Sequence, residues 1–355
     1  MGGNGPTIVL EPPLLLLLEG SEDASNGIST YLTWKDLAAV TRSCRTAARS
    51  VWRAAFFRQS RVVAISRSLS PPPWQPLVVD NAVRSLCIAS AGVCDAIETP
   101  LDAVESLCVA PQRFLGQTSV LDLSRIVSVF PCLQDLDLSR QRSVTDLSGV
   151  TSLRRLRRLN MSGTSVTDLS PLSTTPTLQY LDVSTTKIST IKPLRSLPLL
   201  YALKMNATPA LDNYSALLSL PSLTELILGR LRKSARDQLM LVLMEIAPRL
   251  LKLVYRDSQY MPTASVDSNN GDVVTLLRSV QELEIVNVWR LSTPLYGFSS
   301  LVNLRVLRLS TLNIRDLYPL EGCVNLEELH VTSDHGVDLA PLQVLPHLHT
   351  LYCHG

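Results

Sequence analysis

Residues 156–177 read L-R-R-L-N-M-S-G-T-S-V-T-D-L-S-P-L-S-T-T-P-T, and residues 178–199 read L-Q-Y-L-D-V-S-T-T-K-I-S-T-I-K-P-L-R-S-L-P-L. The two stretches superpose without a gap. Leu156, Leu159 and Met161 fall on Leu178, Leu181 and Val183; Val166, Leu169 and Leu172 fall on Ile188, Ile191 and Leu194. The alternation in L-x-L has period two, the pattern of a short strand with one buried face. Pro171 and Pro193, each just before the last leucine, prevent a long helix from running through that point. The second half of each unit is therefore predicted to be extended or a short 3₁₀ turn. One such unit cannot bury its own leucines, whereas stacked copies make a continuous core.

The pattern continues in both directions. It recurs at Leu133/Leu136/Leu138, Leu200/Leu203/Met205 and Leu223/Leu226/Leu228, at steps of 22 or 23 residues, and returns at Leu304/Leu307/Leu309, Leu326/Leu329/Val331 and Leu348/Leu351/Cys353. Weaker copies sit at Val83/Leu86/Ile88, Val104/Leu107/Val109, Leu250/Leu253/Tyr255 and Val280/Leu283/Ile285, giving twelve rungs over residues 83–355. These units resemble the leucine-rich repeat family, and the 22-residue T-x-I-x-D-L-x-P-L form resembles its internalin and phosphatase-regulator subclass. The resemblance implies an α/β solenoid, a leucine-rich repeat arc with a parallel β-sheet on its concave face. Thr164, Thr186 and Leu312 stand where many such repeats place asparagine, which puts an asparagine ladder in doubt.

Regularity breaks where the steps lengthen. Ser119 to Phe130 and Ser234 to Ile246 have the apolar spacing of true helices, while residues 258–271 (S-Q-Y-M-P-T-A-S-V-D-S-N-N-G) are polar, turn-rich and read as an exposed loop.

Composition agrees with a stacked solenoid. The 355 residues include 65 leucines, 46% are hydrophobic and 18% are charged, below the ~25% of ordinary globular domains. A net charge of +2, from 33 basic and 31 acidic residues, is no electrostatic footprint for a nucleic-acid or membrane-surface binder. Seven cysteines without a CxxC pair point to a reducing compartment, cytoplasmic or nuclear. The Leu14–Leu18 run is far too short to span a membrane and lacks a signal peptide's layout. No nucleotide-binding, zinc-protease or hydrolase motif is present, and the expectation is a non-enzymatic chain without cofactor or metal.

The first sixty residues differ. Residues 1–27 read as a disordered segment, 28–60 as a helical module, 61–82 as a Pro-rich linker and 83–355 as the repeat domain. Within the module, Tyr31-Leu32, Lys35-Asp36-Leu37, Val40, Cys44-Arg45 and Trp52 resemble an F-box, the helical module that docks on the Skp-type linker of cullin–RING ubiquitin ligases. The resemblance implies linker docking through Ile28, Tyr31, Leu32, Leu37, Val40 and Trp52. The leucine, proline and two apolar anchors of the F-box opening are replaced here by Gly20 to Ser25. The other reading of the segment is an amphipathic cap over the first rung.

In a leucine-rich repeat the x positions of L-x-x-L-x-L face the concave side. The candidate partner-binding residues are therefore Arg157, Arg158, Tyr180, Asp182, Tyr201, Lys204, Arg305, Arg308, Glu327 and Glu328. Tyr180 and Tyr201 beside arginine have the composition of an interface hot spot. Arg305 and Arg308 beside Glu327 and Glu328 equally fit lateral salt bridges between strands. The five histidines all fall between His330 and His354, at spacings that match no zinc motif. The last strand has no polar capping helix after it, so its edge is expected to associate with a partner or a second copy. Together these features describe a protein–protein recognition module, a substrate-binding adaptor of a Skp/cullin/F-box ligase if the F-box resemblance holds. A scaffold or a phosphatase-regulator-like subunit is the alternative.

Overall fold

The computed structural model describes residues 62–65, 84–88, 94, 100–109, 121–229, 233–256, 273–288, 295–311, 314, 316–333 and 336–354. The F-box-like segment and the 258–271 loop lie outside the described residues. The chain divides into two compact units, one of residues 1–143 with 152–156 and the other of 144–151 with 157–355.

In the first unit, β1 (Val62–Ile65), β2 (Ser85–Ile88), β3 (Ser106–Val109) and β4 (Asp135–Asp137) pair in parallel and in sequence order. The register sets Leu86 beside Leu107 and Leu107 beside Leu136, joining equivalent places of successive repeats. Strand β1 falls in the stretch read from sequence as a linker. Val62-Val63-Ala64-Ile65 is a continuous apolar run without the L-x-x-L-x-L spacing, so a search for that spacing passes over it. Helix α1 (Leu123–Val129) occupies part of the span predicted as helix; Asp122 caps it by accepting the Ser124 N–H at 2.8 Å, and it buries Leu123, Ile126, Val127 and Val129.

Among its described residues the second unit holds nine parallel strands, each paired with the next. They are β5 (Arg158–Asn160), β6 (Tyr180–Asp182), β7 (Ala202–Asn206), β8 (Glu225–Gly229), β9 (Lys252–Arg256), β10 (Glu282–Val288), β11 (Val306–Thr311), β12 (Glu328–Thr332) and β13 (Thr350–His354). Behind the strands run 3₁₀ turns such as Ser170–Thr174, Lys192–Ser196 and Tyr318–Gly322. Where the repeat lengthens, α2 (Lys233–Ile246) replaces the turn and buries Ala235, Leu239, Val242, Leu243 and Ile246; the four-residue α3 (Val273–Leu276) follows. The sequence predicted the first of these helices and missed the second, whose V-V-T-L has no periodicity of its own.

The repeat motif supplies the local reasons for each element. In D-L-x-P-L the acidic residue caps the coming 3₁₀ turn: Asp168, Asp316 and Asp338 accept the N–H groups of Ser170, Tyr318 and Ala340 at 2.8, 2.8 and 2.9 Å. The following proline, at a first-turn position whose N–H needs no partner, presets the turn's φ. A second device sets strand length. Asn160 and Asp182, at the third residue of β5 and β6, accept the N–H groups of Ser162 and Ser184 at 3.1 and 2.9 Å and turn the chain out of the strand. In β7 and β8 that place holds Lys204 and Ile227, which cannot make this turn, and both strands run for five residues.

The corners after β5, β6 and β7 are left-handed. Gly163, Thr185 and Ala207 have φ of 71°, 58° and 55°, and their N–H groups donate to Ser184, Asn206 and Gly229 carbonyls of the next repeat at 2.8, 2.7 and 3.0 Å. The next residue in each case is a buried threonine, Thr164, Thr186 or Thr208, whose hydroxyl donates to the carbonyl of Met161, Val183 or Met205. Threonine thus satisfies the corner within its own repeat, where an asparagine ladder had been in doubt.

The core is the stack of leucine places. Leu178, Leu181, Val183, Ile188, Ile191 and Leu194 are all 0% exposed. Each such side chain contributes about 1.5–3 kcal/mol on burial. One rung departs from this: Leu351 and Cys353 were read as core, yet Leu351 is 42% exposed and Cys353 is exposed. Strand β13 pairs on one side, with β12.

Candidate functional site

The residues between the buried leucines form the open face of the sheet in the second unit. Neighbouring strands lie ~4.8 Å apart, so equivalent side chains form rows across the strands. In the row after the second residue of each L-x-x pair, register sets Tyr180 beside Arg158 and Ala202, and one step along it sets Asp182 beside Asn160 and Lys204. Ala202 is buried beneath its neighbours.

Tyr180 is the centre of the first cluster. The Arg158 guanidinium carbon lies 4.9 Å from its ring centroid and the Lys204 Nζ lies 5.1 Å from it. Burial pushes the Tyr180 hydroxyl's pKa up, while a hydrogen bond from Lys204 and the Lys204 charge oppose this, and the nearby Asp182 and Arg158 pull in opposite directions. The phenol therefore stays neutral and its ring presents a π-face to two cations, an arrangement worth about 0.5–1 kcal/mol per contact at exposed sites. Tyr201 stands half-buried at the entry to β7, and Arg157 is exposed at the entry to β5. Asp182, proposed from sequence as a binding residue, uses one carboxylate oxygen as the strand-ending cap described above.

The second cluster is self-neutralised. Arg305 grips Glu327 with two hydrogen bonds of 2.8 and 3.0 Å. The pair holds the Glu327 carboxyl below its usual range and Arg305 above its own. Arg308 meets the Glu328 carboxylate at 2.5 Å, and His330 contacts the same oxygen at 2.7 Å. Burial pulls Glu328 up, but Arg308 and His330 outweigh it and the carboxyl stays below its usual value. The sequence left open whether these four residues bind a partner or each other; the structure pairs them laterally. Such exposed pairs contribute little to stability, about 0–1 kcal/mol each.

Sequence reasoning missed the same device one step earlier. Lys252 pairs with Glu282 at 2.5 Å and Arg256 with Glu284 at 2.7 Å. Arg256 lies beyond the L-x-L core of its repeat, and the lengthened step before β10 hid the register that sets it beside Val286, one diagonal from Glu284. Also missed was the stack of His330 on Tyr352, with ring centroids 4.2 Å apart. Cross-strand register pairs Lys252 with Glu282 and His330 with Tyr352, whereas Arg256, set beside Val286, reaches Glu284 on the diagonal. Among the described residues no group of three His, Cys, Asp or Glu side chains is placed to hold a metal ion, and no helix is long and apolar enough to cross a membrane.

Comparisons with known proteins agree with the repeat reading. Residues 154–196 match the family model described as Leucine Rich repeats (2 copies). None of the curated proteins searched matches the sequence. Among solved structures, an internalin of Listeria monocytogenes is similar at 17% identity over 86% of this chain and 93% of its own, with a TM-score of 0.51. A leucine-rich repeat protein of Leptospira interrogans is similar at 16% identity over 87% of this chain and 81% of its own, with a TM-score of 0.55. With a leucine core repeating every 22 or 23 residues, a parallel strand in each turn and two matched copies of the motif, the chain has the leucine-rich repeat fold.

Proposed function

We propose that the chain is a non-enzymatic recognition protein whose open sheet face in the second unit docks a protein partner. The observation that carries this reading is the Tyr180 cluster, an aromatic ring set between Arg158 and Lys204 on a rigid floor. Aromatic and arginine side chains dominate the energy of protein interfaces, and a sheet pinned by inter-repeat hydrogen bonds loses little entropy when it binds. Of the sequence-proposed residues, Arg157, Arg158, Tyr180, Tyr201 and Lys204 are the ones assigned to docking. Arg305, Arg308, Glu327 and Glu328 line the same face as a neutral continuation of it.

The finer reading is an adaptor of a cullin–RING ubiquitin ligase in a reducing compartment. It is supported by the F-box-like residues Tyr31, Leu32, Leu37, Val40 and Trp52 placed before the repeats. Affinity purification of the full chain and of an L32D/L37D variant, with partners identified by mass spectrometry, tests both levels. A Skp-type linker and cullin recovered with the wild type and lost with the variant support the adaptor. The same stable partners from both, with no linker, leave a scaffold.

A further inference from the structure

The sequence holds seven cysteines, and two of them take the same place in neighbouring repeats of the first unit. Register pairs Cys87 of β2 with Cys108 of β3. Residues along a strand alternate between two faces, and Leu86, Ile88, Leu107 and Val109 are buried. Positions 87 and 108 therefore belong to the open face of β2 and β3, side by side in one cross-strand row. Parallel neighbours lie ~4.8 Å apart, inside the ~4.4–6.8 Å between Cα atoms that a disulfide bridges. Cys108 is partly exposed, so a small solute reaches it. The other described cysteines lack this arrangement. Cys94 and Cys323 are buried, Cys132 lies in a turn just before the first leucine of its repeat, and Cys353 belongs to the second unit.

We propose that Cys87 and Cys108 are a reversible dithiol–disulfide pair, which ties β2 to β3 when a low-molecular-weight disulfide such as oxidised glutathione accumulates. One cysteine thiolate attacks a sulfur of the glutathione disulfide, forms a mixed disulfide and releases one glutathione thiol. The other thiolate then attacks the sulfur of that first cysteine and releases the second glutathione thiol. The chain loses two protons and two electrons, and one disulfide is reduced to two thiols. Reversibility comes from the ladder itself. In-register parallel neighbours hold their Cβ atoms near the strand spacing, wider than the ~3.5–4.5 Å of a relaxed disulfide. The bond therefore forms only as β2 and β3 draw together, and a thiol reductant opens it readily. Transient, redox-sensing bonds of this kind are the ones a reducing compartment permits.

The test oxidises the folded full chain with glutathione disulfide, quenches it with iodoacetamide and maps the fragments by mass spectrometry. Cleavage at Arg84, Glu98, Glu105 and Arg113 puts Cys87 and Cys108 on different fragments. The expected result is a Cys87–Cys108 link that dithiothreitol removes and that Cys94→Ser and Cys132→Ser variants retain, with circular dichroism confirming that each variant folds. Oxidation in urea, where the register is gone, lowers the yield of this link at least tenfold. Glutathione adducts without the link, no modification of either cysteine, a link made instead to Cys94 or Cys132, or an equal yield in urea overturns the proposal.

Discussion

Thr185 occupies a backbone conformation made for glycine. Its φ is 58°, it is β-branched, and the equivalent corner one repeat earlier is Gly163 at φ 71°. An L-residue in this region costs roughly 1–2 kcal/mol, and a β-branched one lies at the upper end. Thr185→Gly removes that cost but adds unfolded-state freedom worth about 0.5–1 kcal/mol. The Thr185 side chain is exposed, and the Asn206 carbonyl keeps its bond from the backbone N–H, so no other interaction changes. The net expectation is a gain of about 0.5–1 kcal/mol, a two- to fivefold change in the folding equilibrium constant. Gly163→Ala, the mirror experiment, loses about 1 kcal/mol for the same reason. Urea unfolding followed by circular dichroism reads both through the midpoint at constant slope. A Thr185→Gly variant that unfolds at lower urea than the wild type, or a Gly163→Ala variant that unfolds at the same or higher urea, refutes the assignment of this corner as a recurring left-handed position.

Further expectations follow from the same packing. Hydrogen bonds from the hydroxyl and N–H of Ser148 and Ser170 hold the Asp146 and Asp168 carboxyls below their ordinary 3.8, so the stabilisation they give is complete above that pH and is lost as pH falls below it. The acid limb of a stability–pH curve should therefore flatten in an Asp146→Asn/Asp168→Asn variant. Gly229→Ala should destabilise by about 1–3 kcal/mol in thermal unfolding, because its Cβ would stand 2.2 Å from Asn206 Oδ1 and 2.5 Å from the Arg256 carbonyl of the adjoining strand. Burial pushes the Cys323 thiol up to about 12, and its hydrogen points at the Phe298 carbonyl 3.2 Å away. In the native protein iodoacetamide should spare Cys323 and modify exposed Cys353, as peptide mapping would show.

The repeat was legible because burial demands it: every leucine place in residues 156–199 that the spacing selects is a core residue, and the 22-residue step became the strand order. What periodicity could not carry was a rung without the motif. Strand β1 is four apolar residues, and its membership in the sheet comes from pairing with β2 rather than from any internal pattern. The 3₁₀ caps were present in the sequence as Asp146, Asp168, Asp316 and Asp338, with Thr190 and Asn213 in the same place elsewhere, but their function as hydrogen-bond acceptors emerges only when the chain bends back two residues later. At the site, the sequence named every residue of the Tyr180 cluster, because alternate strand residues share a face. It left open whether Arg305, Arg308, Glu327 and Glu328 would face a partner or one another, since that depends on side-chain reach across a 4.8 Å gap. Asp182 shows the opposite limit, a residue on the expected face that spends an oxygen on its own backbone.

The most direct test of the central claim is site-specific photo-cross-linking of the full chain in cells. A photoreactive phenylalanine is placed at Gln179 or Thr224 on the open face, or at Lys192 or Arg195 on the 3₁₀ side. The account predicts partner adducts from Gln179 and Thr224 and none from Lys192 or Arg195. Adducts confined to Lys192 and Arg195 would contradict it.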